Sequence, residues 1–151
     1  MAIPKSVTKI IKKDGKNEVT FTSNVDRVNY TLNELTRAAL RDSGKFIVKM
    51  FKDDYYSFFD KQTGRVGKYA QYWVRKKEND LQVGIKPNAF YGGFQEKGTE
   101  KQPALGMLTH AAEDNIAEIV RIQSQYLSAL ESEAEALALI DEEEYEGNAD
   151  E

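Results

Sequence analysis

The apolar residues of this chain change period twice, and that change constrains the fold more than any other feature. Val25, Val28, Leu32, Leu35 and Ala39 recur at spacings of three and four, which places them on one face of a helix. Leu81, Val83 and Ile85 alternate strictly with Gln82, Gly84 and Lys86, the mark of a half-buried strand. From Leu105 onward, Leu108, Ala112, Ile116, Ile119, Val120, Tyr126, Leu127 and Leu130 return to a helical stripe. Blocks in this order predict an α+β domain: a small antiparallel β-meander packed against a long N-terminal helix and a long C-terminal helix.

The N-terminal helix is expected to start at Ser23 or Asn24, whose short side chains accept a first-turn N–H. Ser43-Gly44 interrupts its pattern before Phe46, Met50, Phe51, Tyr55 and Phe58 resume it. The segment is therefore one kinked helix or two in tandem. Arg37, Arg41, Lys45, Lys49 and Lys52 fall within roughly a third of its circumference. This basic stripe reads as a solvated face, or as an electrostatic surface for DNA phosphates or an acidic partner. Ahead of the helix, Asp14-Gly15-Lys16-Asn17 between β-branched runs predicts a hairpin, either an arm or the first strands of the sheet. The organisation expected is a hairpin or arm over 1–23, an α+β domain over 24–140 and a disordered acidic segment over 141–151.

Between the helices, Asp60 to Gly67 is a polar loop without the Gly-Lys-Ser/Thr ending of a phosphate loop. Tyr69, Tyr72 and Val74 lead into a turn at Arg75–Asp80, and Gly84 suggests a bulge or a close backbone approach. Phe90 to Glu96 reads as a third, aromatic strand ending in a glycine turn. Pro103 then suits the first turn of the last helix, where its missing N–H costs nothing. Good helix formers continue to about Ile140, so Ala134, Leu137 and Ile140 are expected to pack on another subunit or to fray.

The chain has no cysteine, which excludes disulfides, thiolate metal sites and cysteine nucleophiles. Its single histidine, His110, suits a structural or surface role. Asp53 and Asp54 point apart on a helix, and Glu96 is the one carboxylate at an ordered turn, where it is expected to accept N–H groups from Lys97-Gly98-Thr99. No enzyme, metal, cofactor or small-molecule substrate follows from these residues, and no apolar run is long enough for a membrane span. Charge is uneven: residues 1–77 carry 17 Lys/Arg against 8 Asp/Glu (+9), residues 78–151 carry 4 against 17 (−13). Such asymmetry suggests a basic surface for nucleic acid or head-to-tail attraction between copies. Lys68 to Lys77 interleaves bases with aromatics, and together with Lys45, Lys49, Arg75, Lys76 and Lys77 it defines the competing reading, a small nucleic-acid-binding module.

The order of motifs resembles the neck, or head–tail joining (tail-completion), family of long-tailed bacteriophages. The residues that carry it are Thr63-Gly64-Arg65, Leu81-Gln82-Val83-Gly84-Ile85, Tyr91 to Glu96-Lys97-Gly98-Thr99, Gln102-Pro103-Ala104-Leu105 and Ala111-Ala112. The likeness spans roughly residues 28 to 131, and its most distinctive part is Glu-x-Gly-Thr followed by Gln-Pro. It departs from the family at Gln95 and Lys97, where apolar residues are usual, and at Ala104-Leu105, where phenylalanine is common. The resemblance implies a non-enzymatic virion protein assembled in the host cytoplasm. Its copies would form a ring between the portal–head-completion complex and the tail, with DNA passing through the lumen without sequence-specific binding. A tail terminator or a minor tail or capsid component is the alternative within phages. Thr63, Gly64, Tyr91, Glu96, Gly98, Thr99 and Pro103 would be its structural or interface residues.

Overall fold

A computed structural model describes residues 3–5, 7–14, 17–60, 65–132 and 134–140. β1 (Val7–Asp14) and β2 (Asn17–Ser23) pair antiparallel from Val7↔Ser23 to Asp14↔Asn17, with a register shift between Ile10 and Lys12. The expected hairpin is therefore present. It forms a two-stranded sheet of its own, so it does not begin the central sheet. The long helix that follows it separates the two sheets along the chain.

That helix, α1 (Val25–Phe58), is continuous over 34 residues, a rod of about 50 Å. Asn24 occupies the cap position, but its side chain makes no capping bond; Asp26 supplies the negative charge that the first turn favours. The helix runs through Ser43-Gly44 because both residues are used for packing. Buried Ser43 satisfies its hydroxyl on the Ala39 carbonyl one turn back, at 2.8 Å. Gly44 lies under Tyr72, whose ring would stand 2.7 Å from any Cβ placed there.

α2 (Arg65–Tyr69) leads into β3 (Ala70–Arg75), which pairs antiparallel with β4 (Asp80–Ile85) from Ala70↔Ile85 to Arg75↔Asp80. The register is regular through Gly84, so the bulge expected there does not form. Nor does a close approach: a Cβ at Gly84 would lie 3.6 Å from the Trp73 ring, an ordinary contact distance. Asn79 closes the hairpin at φ +50, a conformation that asparagine tolerates.

The expected third strand is a helix. After a 3-10 turn at Pro87–Ala89, the chain forms α3 (Tyr91–Lys97). Phe90 and Phe94, read as alternating strand residues, are four apart; their rings meet edge to face at 6.1 Å on one helical side. Buried Gly92 lets α3 close on β4, since a Cβ would sit 2.9 Å from Ile85 Cδ1. The Tyr55 hydroxyl on α1 donates to Gln95 Oε1 at 2.8 Å and ties the helix down.

The single C-terminal helix expected from Pro103 to Ile140 is three helices, and Pro103 lies in irregular chain before the first of them. α4 (Met107–Glu113) ends at a turn where the Asn115 side chain donates to the Ala111 carbonyl at 3.0 Å, competing with the helical ladder. α5 (Ile116–Ser128) follows, then a 3-10 turn at Ala129–Glu131 and extended backbone at Ser132. That break turns the chain so that α6 (residues 134–140) packs back on its own molecule through Leu137 and Ile140, while Ala134 is exposed. Ala136 and Ile140 are buried with Leu35, Ala38, Ala39, Ile122 and Tyr126, and Leu137 packs against the same cluster. Burying an isoleucine this way stabilises the fold by about 1.5–3 kcal/mol.

The second cluster gathers Ile47, Val48 and Phe51 of α1 with Val66, Ala70, Ala89 and Ala111. Phe46 touches both clusters. α1 is thus the spine: its first half is covered by α5 and α6, its second by the β3–β4 hairpin and α4.

Candidate functional site

The stretch between α3 and α4 folds into a corner closed by its own hydrogen bonds. Gly98 ends α3 at φ +77, ψ 169, and its N–H donates to the Phe94 carbonyl at 2.8 Å. A Cβ there would lie 2.6 Å from the Ala104 nitrogen, so both the backbone conformation and the space demand glycine. Thr99 and Gln102 exchange backbone bonds of 2.8 and 3.2 Å, and Thr99 Oγ1 accepts from the N–H groups of Lys101 and Gln102. The returning chain is pinned by Leu105 N–H to the Gln95 carbonyl (2.8 Å) and Gly106 N–H to the Glu96 carbonyl (3.2 Å).

Glu96 completes the corner, with partners other than those expected. Its carboxylate accepts from the Leu108 N–H at 2.9 Å, the Thr109 N–H at 2.8 Å and the Thr109 hydroxyl at 2.7 Å. The Lys97-Gly98-Thr99 amides are not its donors among these bonds. The cause lies at the cap of α4: Gly106, at φ +60, has no side chain with which to satisfy the first-turn amides. Glu96 takes that place from another helix, and a negative charge at a helix start is favourable in itself. A glycine where Ser, Thr, Asp or Asn would cap a helix is the sequence signal that a cap must come from elsewhere.

Beside the corner stands an exposed aromatic group. Phe90 and Phe94 are 68 % and 53 % exposed, and Tyr91 meets Phe90 edge to face at 5.9 Å. Tyr91, Glu96, Gly98, Thr99 and Pro103 are therefore brought together in one structural unit, with Pro103 exposed on its loop. Thr63 and Gly64 lie outside the described residues, as does the acidic segment 141–151.

The basic stripe lies elsewhere, along α1, and its members differ. Arg37 is largely buried, ion-paired with Glu34, and donates to the Lys76 carbonyl at 3.3 Å, so it ties the β3–β4 turn to α1. Arg41, Lys45 and Lys52 are half-buried and Lys49 is exposed. In the β3–β4 hairpin, Arg75 is committed to Asp80 through two bonds, one of 2.7 Å from its Nε. That pairing holds the Asp80 carboxyl below its ordinary range. Tyr72 faces α1, whereas Trp73 is turned outward, 44 % exposed, with its indole N–H on Gln82 at 2.8 Å.

A further apolar surface was not foreseen. Val25, Val28 and Leu32 of α1 and Leu127 and Leu130 beyond them are exposed. Val28, Leu32, Leu127 and Leu130 border two adjoining grooves of about 300 and 190 Å³. Its signal was present in the helical stripes, whose width exceeds what one neighbour covers. His110 is exposed on α4, its Nδ1 3.8 Å from Asp114. Among the described residues no group of three His, Asp or Glu side chains is placed to hold a metal. Among the same residues no helix is long and apolar enough to cross a membrane. No family model, no curated protein and no solved structure matches the chain.

Proposed function

We propose that this chain is a structural protein of a tailed-phage virion, a neck or head–tail joining subunit. Its copies form a ring that connects the portal–head-completion complex to the tail, and DNA passes through the lumen. The supporting observation is the corner: the motif that carries the resemblance folds into a self-closed element with an exposed aromatic group mounted on it. Exposed aromatics on a rigid support are the composition that protein interfaces favour. The opposite charges of the two halves suit heterologous, head-to-tail contacts, the kind that close into rings. In this reading the protein is not an enzyme and works without a cofactor. A tail terminator or a minor tail or capsid component would use the same surfaces.

Electron microscopy of the purified protein, alone and with connector or tail assemblies, tests the proposal. Rings with an open lumen, or particles joined only when the protein is added, are expected. A protein that stays monomeric at high concentration and joins nothing overturns it. One observation favours a second reading, nucleic-acid binding: Trp73, Lys76 and Lys77 are exposed on one hairpin. Salt-sensitive retention of duplex DNA in a gel shift would favour that module, and no retention at low salt would remove it.

A further inference from the structure

Among the described residues two apolar features stand uncovered, and one is raised where the other is hollow. The raised one is Phe90 and Phe94, 68 % and 53 % exposed and side by side on α3. The Tyr55–Gln95 bond fastens that helix to the second half of α1. The hollow one is the pair of grooves of about 300 and 190 Å³ at the first half of α1, both lined by Leu32 and Leu130. Leucines, Ala39 and Tyr126 make up most of the smaller groove. An apolar cavity of about 150 Å³ accepts a benzene ring, so each groove has room for one phenylalanine ring.

The two features cannot meet within one chain. α1 is continuous and rises about 35 Å from Leu32 to Tyr55. What fills the groove must therefore come from another molecule, and charge shows which one. Around the aromatic pair Lys86, Lys97 and Lys101 are exposed, against one exposed carboxylate, Glu100. Lys97 follows Phe90 by seven residues and Phe94 by three, which puts all three on one side of α3. At the grooves, the exposed carboxylates Asp26, Glu131 and Glu135 are the chain neighbours of the lining residues Arg27, Leu130 and Ala136. Among the described residues neither these three lysines nor these three carboxylates form an ion pair. The aromatic pair thus has a positive rim and the grooves a negative one, the match that fixes register between partners. One molecule carries both halves of the fit.

We propose that Phe90 and Phe94 of one copy insert into the grooves lined by Leu32 and Leu130 of a second copy, lysine rim against carboxylate rim. The contact is heterologous: each copy gives its aromatic pair to one neighbour and its grooves to the other. It deepens the neck reading, on which it rests for the closure into a ring, by naming the two surfaces that meet.

Complementation between two variants of the full chain tests it. Phe90→Ser with Phe94→Ser removes the aromatic pair and leaves the grooves. Val28→Lys with Leu127→Lys blocks the grooves and leaves the aromatic pair. All four positions are more than half exposed, so both variants keep the parent's fold, which circular dichroism and urea unfolding check. In sedimentation at high concentration the parent self-associates and each variant alone stays monomeric. An equimolar mixture doubles in mass and grows no further, because each mixed pair has spent its one intact aromatic pair and its one intact groove. Adding Lys97→Glu to the groove-blocked variant weakens the mixed dimer about fivefold; unchanged affinity overturns the rim match. A parent that stays monomeric, a mixture without dimers, or self-association that survives Phe90→Ser with Phe94→Ser overturns the inference. If rings or joined particles form and the mixture still gives no dimer, the neck reading stands and this inference falls. A mixed dimer, from a parent that makes no rings and joins nothing, leaves this contact standing and removes the neck reading.

Discussion

Glu96 and Thr109 are joined twice: the Glu96 carboxylate accepts both the Thr109 backbone N–H, at 2.8 Å, and the Thr109 hydroxyl, at 2.7 Å. One side chain at the end of α3 thus caps the start of α4, and the two helices and the loop between them become one unit. The corner's geometry follows from that bond pair and from the two positive-φ glycines that bracket the loop, Gly98 and Gly106.

Removing the cap should be costly for a residue that is only half-buried. Glu96→Ala is expected to lower stability by about 1–2 kcal/mol, the range of lost N-caps. Glu96→Gln, which keeps one acceptor oxygen, should cost less. Urea unfolding of the three proteins measures this; an unchanged midpoint for Glu96→Ala would show that α4 is capped in some other way.

Gly93 and Gly98, five residues apart, should respond in opposite directions. Gly98→Ala puts a Cβ against the Ala104 backbone at a φ that side chains avoid, and the conformation alone costs about 1–3 kcal/mol. Gly93→Ala sits inside α3 with nothing within 4 Å and should stabilise by about 0.5–1 kcal/mol. Thermal unfolding distinguishes them. Equal effects at the two sites would contradict the corner as described.

Burial holds the Tyr55 phenol above its ordinary value of 10.0, outweighing the hydrogen bond to Gln95, which pulls it down. The unfolded chain ionises first, so this contribution is complete below pH 10 and is lost as pH rises through the folded value. Tyr55→Phe is expected to cost about 0.5–1.5 kcal/mol at neutral pH through the lost bond. It should also lose less stability than the parent between neutral and strongly alkaline pH. Parallel denaturation curves across that range for both proteins would refute the assignment.

The exposed aromatic group should matter to assembly and not to folding. Phe90→Ser with Phe94→Ser is expected to shift stability by no more than about 0.5 kcal/mol per site, as exposed substitutions do. It should abolish ring formation or particle joining as seen by light scattering and electron microscopy. Undiminished assembly would move the interface to the apolar lane of Val25, Val28 and Leu32.

Much of the architecture was legible in local pattern. The α+β class, the long first helix, the N-terminal hairpin and the β3–β4 pairing all follow from periods and turn residues, which neighbours in sequence settle among themselves. Leu81, Val83 and Ile85 could alternate usefully only in a strand, and Val25 to Ala39 only on a helix. The resemblance likewise rested on an ordered set of short motifs, and their corner geometry is physical even though the motifs do not state it.

The remainder required the fold in three dimensions. Phe90 to Phe94 satisfies period two and spacing four alike; Gly92 packing under Ile85 and Tyr55 reaching Gln95 made it a helix. Glu96 could have bonded the amides next to it, but an uncapped Gly106 two segments away offered donors that had no other partner. Ile140 was expected to pack on another subunit or to fray, and the break at Ser132 sent it, with Ala136, back to α1. Sequence alone determined which residues must be covered and with what period, because those are properties of short stretches. Only tertiary structure decided which partner did the covering, because that depends on which distant groups were left unsatisfied.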